Sequence, residues 1–185
     1  GCFHLAAVPW AQKPDQPISH RINAEGIIRI LDAARIGPVP VVFASSAAVY
    51  GNQRSSQLRE ICQPAPLTSF GADKLDSERH ARVAGLVHSV PTIGLRFFNV
   101  YGPRQDGDSS RSGVIPIFIE RLLSGASLDI YGSGRQSRDF LHVLDAVRFL
   151  IGAMQRIRPE PQVFNACTGQ ATSIHNLAKR LALIC

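Results

Sequence analysis

No apolar run in this sequence approaches the roughly 20 residues that a helix needs to cross a bilayer, which argues against a helical membrane span. The opening Gly1-Cys2-Phe3-His4-Leu5 has neither a basic segment nor a cleavage pattern, so it does not read as a signal peptide. An initiator Met is also missing. The sequence opens directly on a strand-like run, as a chain entered part-way would. The four cysteines (Cys2, Cys62, Cys167 and Cys185) lie far apart with no CxxC pair, which argues against a zinc or redox motif. The six histidines lack metal-ligand spacing, so no metal is expected. With no sign of secretion, a reduced, cytoplasmic protein is the simplest expectation. Aromatics are only 7% and the arginines are scattered, which leaves no stacking platform for nucleic acid. Internal repeats and low-complexity segments are absent.

What is present is ordinary in amount and informative in order. The chain has 185 residues, 45% hydrophobic and 18% charged, with a net charge of +6 that serves solubility more readily than any specific partner. That length suits one domain with a core or part of a larger two-lobed fold. Short β-branched runs alternate with longer runs of helical period, the pattern of βα units with a parallel sheet. Strands are expected over Cys2 to Ala7, Val39 to Ser46 and Pro91 to Phe98, and helices over Ile18 to Arg35, closed by Gly37-Pro38, and Ser69 to Gly85. Ser55 to Pro66 reads as a loop, and Asn99 to Ser112, rich in Gly, Pro, Asp and Ser, as a long one. Helices are expected again over Gly113 to Ser124, Leu144 to Arg156 and Ser173 to Leu183, the last with Ser173 as its cap. Short strands are expected at Leu128 to Tyr131, Phe140 to Val143 and Val163 to Ala166. The change of regularity near residue 100 suggests a division into a cofactor part (1–100) and a substrate part (101–185) with elements of the first interleaved.

Individually the motifs are weak. HLAA (His4 to Ala7) ends a strand in small side chains, which either admits a ligand to the backbone or packs a helix. SSAAVYG (Ser45 to Gly51) puts two hydroxyls at the carboxyl end of a strand, where parallel sheets bind ligands. The same hydroxyls could simply cap a turn.

Their order is more specific. HLAA, INAEG (Ile22 to Gly26), SSAAVYG, SFGADK (Ser69 to Lys74), LRFFNVYGPR (Leu95 to Arg104) and RDFLHVLDA (Arg138 to Ala146) follow one another along the chain. In this the sequence resembles the extended short-chain dehydrogenase/reductases, specifically the NAD-dependent epimerase/dehydratase group. UDP-glucose 4-epimerases and relatives acting on N-acetylated or uronic sugars are most similar. The resemblance implies an α/β fold: part of a doubly wound parallel Rossmann sheet, plus part of a smaller C-terminal substrate lobe. It also implies NAD as cofactor, a UDP-sugar or related nucleotide-sugar as substrate, no nucleic acid or membrane partner, and a homodimer paired through Ile18–Arg35 and Ser69–Gly85.

The family's catalytic group is a Ser or Thr, a Tyr and a Lys, the last two spaced YxxxK. Ser46 matches the hydroxyl and Lys74 the lysine; the tyrosine position holds Phe70. Residues four apart share a helix face, so a lysine at that spacing would favour the phenolate of a tyrosine. The phenolate takes the proton of the sugar hydroxyl as hydride leaves the carbon. Phe70 keeps the ring and lacks the oxygen. An aromatic on a helix could also be merely packed. The resemblance further places Ala6, Ala7, Asn23, Ser45, Lys74 and Phe97 at the cofactor. It places Ser46, Asn99, Arg104, Tyr131 and Arg138 at the substrate, with the Arg138 fork suited to a pyrophosphate. The alternative for Arg138 is a surface ion pair with Asp139 or Asp145.

Two departures qualify the reading. The family's glycine-rich phosphate loop lies upstream of HLAA, and nothing precedes Gly1 in this sequence. GSGRQ (Gly132 to Gln136) is no substitute, because it does not open a helix after a strand. At most weak NAD binding is therefore expected of the chain as written. Ala47-Ala48 stand where dehydratases of the family carry Asp-Glu, and where its decarboxylases place a Glu, which favours epimerisation or reduction over elimination. An impaired epimerase, a nucleotide-sugar-binding protein without turnover and an inert fragment are the competing expectations.

Overall fold

A computed structural model of the chain describes residues 1–8, 16–37, 39–53, 57–105 and 113–185. The ends of three expected features (Pro38, Ser55 and Ser112) lie outside the described residues. By internal contacts the chain divides into two units, Gly1–Phe97 with Val147–Ala166, and Phe98–Ala146 with Cys167–Cys185.

In the first unit, β1 (Cys2–His4), β2 (Val41–Ser46), β3 (Thr92–Phe97) and β6 (Gln162–Ala166) form a sheet in the order β1-β2-β3-β6, every pair parallel. The β-branched and aromatic residues that announce β2 and β3 are buried on both faces, as a helix-covered parallel sheet requires. The register sets Ser46 opposite Phe97, and Phe97 opposite Ala166, at the carboxyl ends. β1 stops at His4, short of the expected Ala7, and the backbone of Val8 is instead bonded by the side chain of Asn23.

The helix expected over Ile18 to Arg35 is three consecutive helical segments: α1 (Gln16–His20), a π-helical turn (Arg21–Glu25) and α2 (Gly26–Ile36). The Gly26 N–H reaches Arg21 O five residues back, which widens the turn holding Asn23. Ile27, Leu31 and Ala34 of α2 pack with Ala81 and Ala84 of α3 (Ser69–His88) and with Val41 and Phe43 of β2. Thr68 caps α3, its Oγ1 accepting from Gly71 N at 3.1 Å. The helix ends where Ser89 turns left-handed (φ 55°).

α3 buries charge as well as carbon. Phe70, Lys74 and Glu78 share one face by their spacing of four, and Asp73, Ser77, Ala81 and Ala84 share the next. Glu78 accepts from Arg96 of β3 through both oxygens, at 2.8 and 2.7 Å, and from the Ser45 hydroxyl. Arg96 also donates to the Tyr50 hydroxyl at 2.9 Å, and Tyr50 donates to Asn165 of β6 at 2.7 Å. The network ties α3 across three adjacent strands.

In the second unit, β4 (Asn99–Tyr101) runs parallel to β5 (Ser137–His142), and β5 antiparallel to β7 (Ala171–Ser173). α4 (Val114–Leu123) and α6 (Ile174–Ile184) share a core of Ile115, Phe118, Ile174, Leu177 and Ala178. Ser173 caps α6, its Oγ accepting from Asn176 N at 3.2 Å. α5 (Val143–Arg156) runs from this unit into the first.

Two expectations are corrected in this unit. The stretch from Asn99 opens with strand β4, because Asn99 to Tyr101 find a parallel ladder on Phe140 to His142. Leu128 to Tyr131 joins no ladder; Leu128 and Ile130 are held by packing on the α4–α6 core, and Asp129 pairs with Arg121 at 3.0 Å. β7 was not anticipated, being three residues with no apolar run.

Removing one partner of a buried ion pair strands the other charge. Glu78→Ala should therefore cost about 3–5 kcal/mol in urea denaturation of the chain. A loss below about 1 kcal/mol would show that the pair does not hold α3 to the sheet.

Candidate active site

Strand β2 delivers two serines that alternate across the sheet, so they cannot both face one crevice. Ser45 is buried, and its hydroxyl is spent on Glu78. Its side chain thus serves the α3–sheet network, and only its main chain is left to meet a cofactor. Ser46 is half-buried and caps the 3-10 turn Ala47–Tyr50, its Oγ accepting from Ala48 N at 3.2 Å. The capping role is thus filled, and the hydroxyl hydrogen of Ser46 is left to donate.

α3 begins against that turn. A Cβ on Gly71 would come within 2.6 Å of Ala48 O, so only glycine lets the helix start here. Phe70, half-buried, stands one residue before this contact. One turn further on, the Lys74 ammonium lies 5.6 Å from the centre of the Phe70 ring. It donates to Ala44 O of β2 at 2.7 Å. The side chain is buried, and burial lowers its pKa to about 8, with the negative charge of Asp73 pulling the other way. An ammonium has three donors, so two remain beyond the one given to Ala44.

Asn23 is buried in the π-helical turn. Its Oδ1 accepts from Val8 N at 2.8 Å, and its Nδ2 donates to Val8 O at 3.0 Å and to Asp73 at 3.3 Å. Asn23 therefore fixes the segment that carries Ala6, which is exposed, and Ala7, which is half-buried. His4, at the end of β1, has its imidazole held below the ordinary value by burial and then by the Lys74 charge. Asp73, Ser77 and His20 complete the surroundings of Asn23 and Lys74. None of these three was singled out from the sequence, although Asp73 stands beside Lys74 in SFGADK. No local pattern marks a buried carboxylate whose partners come from another helix.

The first unit thus brings Ser46, Phe97, Phe70 and Lys74 to one end of its sheet. The remaining substrate residues belong to the second unit. Asn99 opens β4 and is exposed, and Tyr131 is 88% exposed. Arg104 adopts φ 69° and lines a cavity of about 1050 Å3 with Ile115, Phe140, Leu177 and Arg180. Arg138 is exposed on β5 and donates to Ser137 O at 2.8 Å. Its neighbour Asp139 is engaged elsewhere, accepting from Thr168 N, Thr168 Oγ1 and Gly169 N at 2.9, 2.8 and 2.7 Å. Among the described residues no group of three or more His, Cys, Asp or Glu is placed to hold a metal ion, and no helix is long and apolar enough to cross a membrane.

The model of the NAD dependent epimerase/dehydratase family matches residues 2–167. The chain belongs to that family. It is 35% identical over 158 residues to a putative UDP-glucose 4-epimerase of Methanocaldococcus jannaschii, covering 84% of this chain and 50% of that protein. Among solved structures it is similar to the UDP-glucose 4-epimerase of Thermotoga maritima with UDP-glucose (TM-score 0.89, 31% identity, 98% of this chain and 60% of that one). It is similar also to a UDP-glucuronic acid 4-epimerase from Bacillus cereus in complex with UDP-glucuronic acid and NAD (TM-score 0.86, 28% identity, 97% and 57%). The chain spans about half the length of the curated relatives it matches. Its parallel sheet with flanking helices is the Rossmann-type α/β architecture of those structures.

The residues at the strand ends fit the nicotinamide end of NAD. Ala6 and Ala7 present only methyl groups on a segment fixed by Asn23, and the two remaining Lys74 donors suit the two hydroxyls of a ribose.

The depressed Lys74 value makes a pH prediction. The unfolded chain keeps this proton up to 10.5, whereas the fold releases it near 8, so raising pH across that window stabilises the fold. The gain should be about 2 kcal/mol relative to Lys74→Met, read as the difference in urea denaturation between pH 8 and pH 10. Parallel pH profiles for the two proteins would contradict the buried ammonium.

Proposed function

We propose that this chain is the catalytic and substrate-binding portion of an NAD-dependent nucleotide-sugar 4-epimerase, impaired by Phe70. The observation that carries the reading is Lys74, whose ammonium is held over the ring of residue 70 and anchored to β2 two residues before Ser46. That is the arrangement a general base on α3 requires. Small residues at 47 and 48 leave no added acid or base for elimination, which supports epimerisation.

NAD, when bound, supplies the acceptor and then the donor of hydride for the sugar carbon. Ser46 donates to the oxygen of the sugar hydroxyl being oxidised and holds it toward position 70. The phenolate of a tyrosine at position 70, stabilised by the Lys74 ammonium, would take that proton and become the neutral phenol. Asn99, Arg104, Tyr131 and Arg138 bind the nucleotide-sugar, with Arg138 on the pyrophosphate. Asn23, Ala6, Ala7 and Phe97 border the cofactor. Phe70 has no oxygen to carry the proton, and loss of a general base slows a reaction by about 10²–10⁴-fold.

The same residue favours a second reading, a nucleotide-sugar-binding protein without turnover. Phe70→Tyr in the protein carrying this chain separates the two. With NAD and UDP-glucose or UDP-glucuronic acid as probes, restored interconversion by about 10²-fold or more supports the epimerase. Binding of either probe with no gain in turnover supports the binding protein.

Pairing of two copies belongs to the same proposal. The helical run from Gln16 to Ile36 exposes Ile18 and Ile22, and α3 exposes Val83, Leu86 and Val87. Sedimentation at micromolar concentration should give a dimer that Val83→Glu together with Leu86→Glu splits. A monomer before substitution would contradict the pairing.

A further inference from the structure

Asp73 is only 5% exposed, and both of its carboxylate oxygens are engaged. Oδ1 meets His20 Nδ1 at 2.7 Å and Oδ2 accepts from Asn23 Nδ2 at 3.3 Å. Its own main chain is bound too, for Ser77 Oγ donates to Asp73 O at 2.8 Å and to Asn23 O at 3.3 Å. The amide of Asn23 in turn grips both polar groups of Val8. An unbroken chain of bonds thus runs from the exposed ring of His20, through Asp73 and Asn23, to the segment after β1. Lys74 follows Asp73 directly on α3, and its ammonium donates to Ala44 O and lies over the Phe70 ring, with its charge felt by the His4 imidazole. The Asp73 carboxylate acts on it as a negative charge that favours the ammonium.

Burial of a carboxylate is costly unless it is bonded. Here the bonds come from two residues of the α1 and π-helical region, so the cost is met by partners that also order the site. We propose that Asp73 is a positioning residue, fixing the Ala6–Val8 segment through Asn23 and keeping the Lys74 ammonium charged in surroundings that disfavour charge. The proposal deepens the epimerase reading and rests on it for its purpose, but its test needs no turnover, so either can fail alone.

The sequence has three lysines, Lys13, Lys74 and Lys179, so isotopically labelled lysine gives few and separable signals in NMR titration. Asp73→Asn keeps the shape and an acceptor while removing the charge. The Lys74 midpoint should fall by about one pH unit below that of the unmodified protein. His20→Gln removes the cation on the far side of Asp73, where Glu25 and Asp76 also act on the ring, and should leave the Lys74 midpoint in place or raise it. A purely structural role would loosen Lys74 in the same direction in both variants. An unmoved Lys74 midpoint in Asp73→Asn, or an equal fall in His20→Gln, overturns the charge role. Exchange of the Val8 amide with solvent should quicken in Asp73→Ala and be restored in Asp73→Asn; equal exchange in all forms overturns the anchoring role. Should these variants not fold, the unmodified protein still decides. Its His20 ring should titrate above 6.5 because Asp73 is ionised and bonded to it, and a midpoint at or below 6.5 overturns the proposal.

Discussion

The bidentate pair between Glu78 of α3 and Arg96 of β3 is the interaction on which the site depends. It fixes the rotation of α3 about its own axis, because residues 70 and 74 lie on the same face as 78, at successive spacings of four. With Glu78 on Arg96 and Ser45, Lys74 is brought to Ala44 O, and the start of α3 at Gly71 lies against Ala48 of the turn that Ser46 caps. The pair is buried at both ends, so its net contribution to stability is smaller than its bond count suggests. What it supplies is orientation. A helix held only by Ala81 and Ala84 against α2 could rotate or slide with little loss of apolar contact, and the ammonium would leave the sheet edge.

A second, softer constraint acts from the opposite side of α3. The neighbouring face, with Asp73 and Ser77, meets the widened turn of the helical run before α2. One extra residue in that turn places Asn23 where it can bond Val8, and so shapes the segment after β1. The end of the sheet is therefore set by polar groups that each have a partner, around a lysine whose protonation is finely balanced. Such a balance suits a group that must favour a phenolate without holding a proton too tightly.

Much of the fold was legible in the sequence, and the reasons are local. Val39 to Ser46 and Pro91 to Phe98 are apolar runs bounded by Pro and Gly, and both hold strands to within a few residues. Ser173 before an apolar helical period gave the cap of α6 directly. The failures are tertiary. Leu128 to Tyr131 has strand composition but no strand to pair with, and β7 exists because β5 offers a ladder. Ser45 and Ser46 look alike in SSAAVYG, yet alternation gives one to Glu78 and the other to the turn. Asp73 and Glu78 read as ordinary polar positions of a helix, since their partners His20, Asn23 and Arg96 lie on other elements. The order of motifs identified the family, but the wiring behind those motifs is visible only in three dimensions.

Position 70 lies beside the Lys74 ammonium, which would make a phenol placed there acidic. Spectroscopic titration of Phe70→Tyr against the unmodified chain, whose other tyrosines cancel in the difference, measures this directly. The account predicts a phenol that ionises well below the ordinary value of about 10 and returns toward it in Phe70→Tyr/Lys74→Met. A phenol that titrates at or above the ordinary value, with or without Lys74, would contradict it.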